Sequence, residues 1–106
     1  MTMRTSEIAI QLRTSLARCY GRRLNGVFVF GSHARGDDDE ESDLDVLIVL
    51  DRVDNYAADV DRTSEIISSL SLEYGVSISR VFVSHDEWLH GDTVFLQNVR
   101  EEAIPA

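Results

Sequence analysis

Gly31-Ser32 and Asp43-Leu44-Asp45, with ten residues between them, are the positions of this chain whose types and spacing could do chemistry. They lie in VFVFGSHARGDDDEESDLDVLIVL, residues 27–50. Gly31 permits a tight turn and a close backbone approach that any side chain would obstruct. Ser32 can cap a short helical turn and offer its hydroxyl to a phosphate, with nearby backbone N–H groups helping. On a strand alternate side chains share a face, so Asp43 and Asp45 point together while Leu44, Val46, Ile48 and Leu50 face the other way. Two carboxylates side by side repel unless a cation lies between them, and Mg²⁺, which prefers carboxylate, water and phosphate oxygens, suits that place. A phosphate-holding turn facing such a pair would serve displacement at phosphorus: the turn holds a triphosphate, and the metal neutralises charge on the attacked phosphorus and the departing pyrophosphate. The plainer alternative is a surface hairpin with an acidic loop.

The elements that must position these residues follow from periodicity. Ile8, Leu12, Leu16 and Tyr20 recur every four positions and predict a helix from about Ser6 to Tyr20, stopped by Gly21. Leu24 to Phe30 reads as a strand buried on both faces, with Gly26 marking a bend or bulge. A loop with a short helical start covers His33 to Ser42, and Asp43 to Leu50 is the second strand. Asp54 is the expected N-cap of a helix from about Tyr56 to Glu73, with Tyr56, Val60, Ile67, Leu70 and Tyr74 buried and Asp59, Asp61, Arg62 and Glu65 in solvent. Val76 to Val83 is a third strand. Ser84 and Glu87 form a capping box for a short helix anchored by Trp88. A last helix opens at Asp92 or Thr93, docks Phe95, Leu96 and Val99, and has stopped by Pro105.

Composition narrows the partners. The 106 residues predict a single domain spanning 1–106, burying roughly two-thirds of its chain surface. A formal net charge of −9 repels nucleic-acid backbones, and adjacent Arg22 and Arg23 fall well short of a nucleic-acid footprint, so a basic protein partner fits better. The run Asp37, Asp38, Asp39, Glu40, Glu41 reads as a solvated segment that discourages polyanionic substrates. No apolar run is long enough to span a bilayer, and the N-terminal residues lack a signal pattern, so no membrane role and a cytoplasmic address are expected. Cys19, the single cysteine, is expected to pack as a small buried side chain. His33, His85 and His90 have no zinc-ligand spacing.

The GS-x10-DxD spacing resembles the signature of the DNA polymerase β-like nucleotidyltransferases, and GSHARG…SDLDVLIVL is most similar to the minimal nucleotidyltransferases of that superfamily. The resemblance runs from about Leu16 to Ile104, and the tail SHDEWLHGDTVFLQNVREEAIPA is similar to the end of many stand-alone members. It implies an α+β (α/β) fold, a compact palm with a small mixed sheet and helices mainly on one face. It further implies transfer of AMP from ATP with Mg²⁺ as cofactor, Asp43 and Asp45 as catalytic metal ligands, and Gly31, Ser32 and Arg35 as nucleotide-binding residues. Arg35 is equally well explained as a solvated arginine beside acids. Short members of the family are typically paired with a helical HEPN ribonuclease toxin, which they silence by adenylylating a tyrosine. The implied role is therefore that of an antitoxin with a HEPN-type toxin partner, as a hetero-oligomer with the toxin or a homo-oligomer.

Members of the superfamily commonly carry a third carboxylate on the strand beside the Asp pair, where it helps deprotonate the acceptor hydroxyl and binds a second metal. Counting back from Ser84 places that position at Ser79, with Ser77 the other polar candidate. Neither can act as an anionic ligand or general base near neutral pH. Activity then needs a base from the partner, an acidic acceptor such as a tyrosine (pKa about 10), or another carboxylate such as Glu73 reaching in. Otherwise the protein is a binding-only antitoxin that masks its toxin. A third reading, a small-molecule (antibiotic) nucleotidyltransferase, usually requires a second domain or a dimer to shape the acceptor site.

Overall fold

The computed structural model describes residues 1–39 and 41–106; Glu40 of the acidic run lies outside the described residues. Strand β2 (Leu44–Leu50) organises the fold because nearly every residue of LDVLIVL is buried. Such a strand must be covered on both faces and paired on both edges. Strand β1 (Leu24–Phe30) pairs with it antiparallel and β3 (Ile78–Ser84) parallel. A parallel neighbour needs a crossover, supplied by helix α3 (Tyr56–Tyr74). A short strand β4 (Ile104–Pro105) completes the order β3-β2-β1-β4.

Leu44, Val46, Ile48 and Leu50 pack with Ile8, Leu12 and Leu16 of α1 (Met3–Tyr20) and Ile67 and Leu70 of α3, while Leu47 and Val49 meet Leu96 and Val99 of α5 (Val94–Glu102) on the opposite face. The two long helices share one face, as the resemblance implied. The other face is covered by α5 and by α4 (His85–His90), whose Trp88 ring lies 4.6 Å from that of Phe28. The register slips between Leu24 and Gly26, the irregularity expected at that glycine. The capping box at α4 forms as read, with Glu87 N–H donating to Ser84 Oγ and Ser84 N–H to Glu87 Oε1.

Several boundaries differ for identifiable reasons. Helix α1 starts at Met3 because the Thr2 side chain caps Thr5 N–H. Asn55, not Asp54, caps α3 by accepting from Ala58 N–H. β3 begins at Ile78, two residues late, and β4 was not read from the sequence because two residues carry no periodicity. Cys19 is exposed, on the outer side of α1. Phe95 stays 41% exposed and reaches the core only edge-on to Phe30. Among the described residues no helix is long and apolar enough to cross a membrane.

The largest departure is Asp59, expected in solvent but 3% exposed. Tyr20 Oη and Arg62 Nη1 both donate to its Oδ1, at 2.8 and 3.0 Å. Burial, then the Asp59 carboxylate, pushes the Tyr20 phenol up to about 12. Tyr20→Phe removes one donor from a buried carboxylate and should cost about 1–3 kcal/mol in urea unfolding. A loss below about 0.5 kcal/mol, the range of an ordinary surface change, would mean that Asp59 keeps its water.

Candidate active site

The register brings the glycine turn to the acids. Phe30, the last residue of β1, stands opposite Asp45 of β2, so the chain leaves the sheet beside the Asp pair. Gly31 then turns at φ 74°, where side chains are rarely tolerated. A β-carbon built there would lie 3.3 Å from Asp45 Cγ and overlap Oδ2 outright. The predicted close approach is therefore made to Asp45 itself. Gly31, not Ser32, occupies the N-cap of the short helix α2 (Ser32–Arg35), and Ser32 is its first residue. Gly31 O accepts from Ala34 and Arg35 N–H at 3.1 Å, which closes the turn tightly.

Asp43 is exposed, one residue ahead of β2, and Asp45 is half-buried on it; Leu44 between them is wholly buried among the residues facing α1 and α3. By alternation along β2 Asp45 shares the face of Leu47 and Val49, and Asp43 lies close enough for its charge to act on Asp45. Burial first, then the Asp43 charge, raises the Asp45 carboxyl above the usual carboxylate range, with His33 and Arg35 opposing. Ser79 of β3 is the register partner of Asp45, the place where the sequence count put it, and it is exposed. Glu73 is exposed on α3, in the layer covering the opposite face. Among the described residues no group of three His, Cys, Asp or Glu side chains converges as a metal cage. The donor set is two carboxylates, which fits a Mg²⁺ ion that completes its shell with water and substrate phosphates.

Two residues at the site carry no sequence signal. His33 is buried at 7% exposure between α1 and the acidic loop. Its Nε2 lies 3.3 Å from Ser42 O and donates there, and its Nδ1 lies 3.2 Å from Thr5 Oγ1 and 3.6 Å from Asp38 Oδ2. Thr2 Oγ1 donates in turn to Thr5 Oγ1, extending the chain to the cap of α1. His33 thereby ties the turn to the residue just before Asp43. Glu102, the last residue of α5, accepts from Gly31 N–H through Oε1 at 3.1 Å and from Arg35 Nη1 through Oε2 at 2.9 Å. Arg35 also holds Asp37 through Nε at 3.2 Å.

Two substitutions check this geometry. Gly31→Ala meets both a positive φ and the Asp45 carboxylate, and should cost at least about 1–3 kcal/mol in urea unfolding. Asp45→Asn should do the reverse in the metal-free protein. A raised pKa means that the folded state keeps its proton longer, so stability falls as pH rises from the unfolded value near 3.8 through the folded one. The variant should therefore melt higher than wild type at pH 7, and the gap should close below pH 3.8, measured by thermal unfolding across pH. A variant that melts lower at pH 7 would contradict the raised pKa.

The nucleotidyltransferase domain family matches residues 10–103. Two proteins of Methanocaldococcus jannaschii, MJ0604 and MJ0141, both provisionally named protein adenylyltransferases, are 40% identical over 67 residues and 35% identical over 79. The first alignment covers 63% of this chain and 61% of MJ0604, so the chain spans less than two-thirds of that relative; the second covers 74% and 79%. Among solved structures, a provisionally assigned minimal nucleotidyltransferase superposes with TM-score 0.62 at 24% identity, covering 96% of this chain and 95% of that one. The structure of a toxin–antitoxin with AMP-PNP superposes with TM-score 0.60 at 21% identity, covering 89% and 68%. At those identities the likeness is one of fold. The family match runs over most of the sheet and its helices, and on that ground the chain belongs to the nucleotidyltransferase domain family.

Proposed function

We propose that this protein transfers AMP from ATP to a hydroxyl, a tyrosine of a HEPN ribonuclease toxin, and acts as that toxin's antitoxin. The observation that supports the reading is the close approach of Gly31 to Asp45, with the glycine turn beside the acids. In the reaction the acceptor oxygen attacks the α-phosphorus of ATP. A new O–P bond forms, the bond to pyrophosphate breaks, and the acceptor proton passes to water or a base. Gly31, Ser32 and Arg35 would hold the polyphosphate, and Asp43 and Asp45 would hold Mg²⁺. When bound, the ion would supply charge neutralisation at the attacked phosphorus and the leaving pyrophosphate. The names of the M. jannaschii relatives support the reaction class, and the toxin–antitoxin structure among the neighbours supports a toxin as partner. The net charge of −9 suits docking on a basic, RNA-cutting protein.

Ser79 beside Asp45 favours a second reading, a binding-only antitoxin that neutralises by masking. Intact-mass spectrometry separates the two. Incubated with the adjacent gene's product, ATP and Mg²⁺, wild type should add the mass of AMP to that partner. Asp43→Asn/Asp45→Asn should slow the transfer at least about 100-fold, the scale of losing an electrostatic stabiliser of the transition state. No added mass with wild type, together with neutralisation by the double variant at a one-to-one dose, would establish masking. Ser79→Asp restores a carboxylate beside Asp45 and should speed transfer at least about tenfold if proton removal from the acceptor limits the rate.

A further inference from the structure

Glu102 occupies the turn in the manner of a phosphate. One of its oxygens takes the Gly31 N–H and the other the Arg35 guanidinium, the two donors that the nucleotide reading assigns to the polyphosphate. The carboxylate arrives there by construction. Leu96 and Val99 bury one face of α5, the Ala103 N–H closes the helix on Val99 O, and β4 pairs Ile104 with Val29 of β1. The end of α5 is thus fastened beside the strand that leads into Gly31. The Arg35 ion pair, ahead of the other influences, holds the Glu102 carboxyl below the usual range, so it is an anion wherever ATP would bind. Its charge also acts on Asp45 in the same direction as that of Asp43, which marks it as repulsive toward incoming phosphates.

We propose that Glu102 is a built-in competitor for the triphosphate: in the free protein its carboxylate holds Gly31 N–H and Arg35, and it must swing away before a nucleotide can seat. This rests on the nucleotide reading of the turn. A role as the missing third metal ligand fits less well, because among the described residues no three acids converge and the Glu102 oxygens are already on hydrogen-bond donors. The exchange is feasible for the side chain alone. It is 25% exposed at its edge, so it can turn into water without unseating α5. The apparent affinity for nucleotide is then the intrinsic affinity reduced by the fraction of molecules in which Glu102 is off the turn. Arg35 stays paired throughout, with Asp37 on its Nε and either Glu102 or phosphate on Nη1. The same contact gives the Gly31 N–H an acceptor in the carboxylate of Glu102.

The test is titration calorimetry of AMP-PNP with Mg²⁺ into the full chain, using wild type, Glu102→Gln and Glu102→Asp. Glutamine keeps an acceptor for Gly31 N–H and the same shape but loses the charge on Arg35. Aspartate keeps the charge but is one methylene too short to bridge both donors. Both variants should bind AMP-PNP about five- to tenfold more tightly than wild type, reflecting release of the occluded fraction. Equal or weaker binding by the variants, with wild-type binding intact, would overturn the competitor and leave the nucleotide site standing. Absence of AMP-PNP binding in wild type and variants alike would overturn both. Should Glu102→Gln fail to fold, Glu102→Asp is read by the same criteria.

Discussion

Asp45 sits partly withdrawn from water, beside Asp43 and hard against the backbone of Gly31, and its ionised form is therefore unfavourable in the free protein. The other features of the site answer that constraint. Only glycine fits at position 31, because any β-carbon would enter the carboxylate. Only a strand pinned on both sides can hold Asp45 there against repulsion, and β2 is such a strand, buried along its length and hydrogen-bonded to β1 and β3. A site that holds like charges together is less stable than an apolar alternative, and a cation bound between the two carboxylates would relieve it.

The turn is wired to distant parts of the chain. His33 connects it through Thr5 to the first helix and through Ser42 to the approach of the second strand. Glu102 connects it to the last helix. The site is thus assembled from segments near both ends of the sequence around the Gly31 turn. Arg35, half-exposed, pairs with both Glu102 and Asp37.

Further polar contacts tie the helices to the sheet away from the turn. Arg23 pairs with Asp51 where β1 begins and β2 ends, and buried Tyr20 of α1 and half-exposed Arg62 both donate to buried Asp59 of α3. Arg80 of β3 reaches the same helix through Thr63 Oγ1 and Val60 O, both at 2.8 Å. These polar contacts fasten α1, α3 and β3 to one another without touching the turn.

Periodicity and spacing were enough to read the order of the main elements, the alternation that buries Leu44, Val46, Ile48 and Leu50 on one face, the capping box at Ser84 and the serine beside Asp45, because these depend on short-range geometry. The glycine that must lie close to something was legible too, but the group it lies against was not. What only the tertiary structure decided are contacts between residues far apart in the chain: Asp45 against Gly31, His33 between Thr5 and Ser42, Glu102 on the turn, and Asp59 beneath Tyr20. Glu102 and Asp59 look in the sequence like any acid on an amphipathic helix. Their environments come from how α5 and α3 pack on the sheet, and a pattern of period 3.6 says which side of a helix is apolar but not which donor waits at the edge of that side.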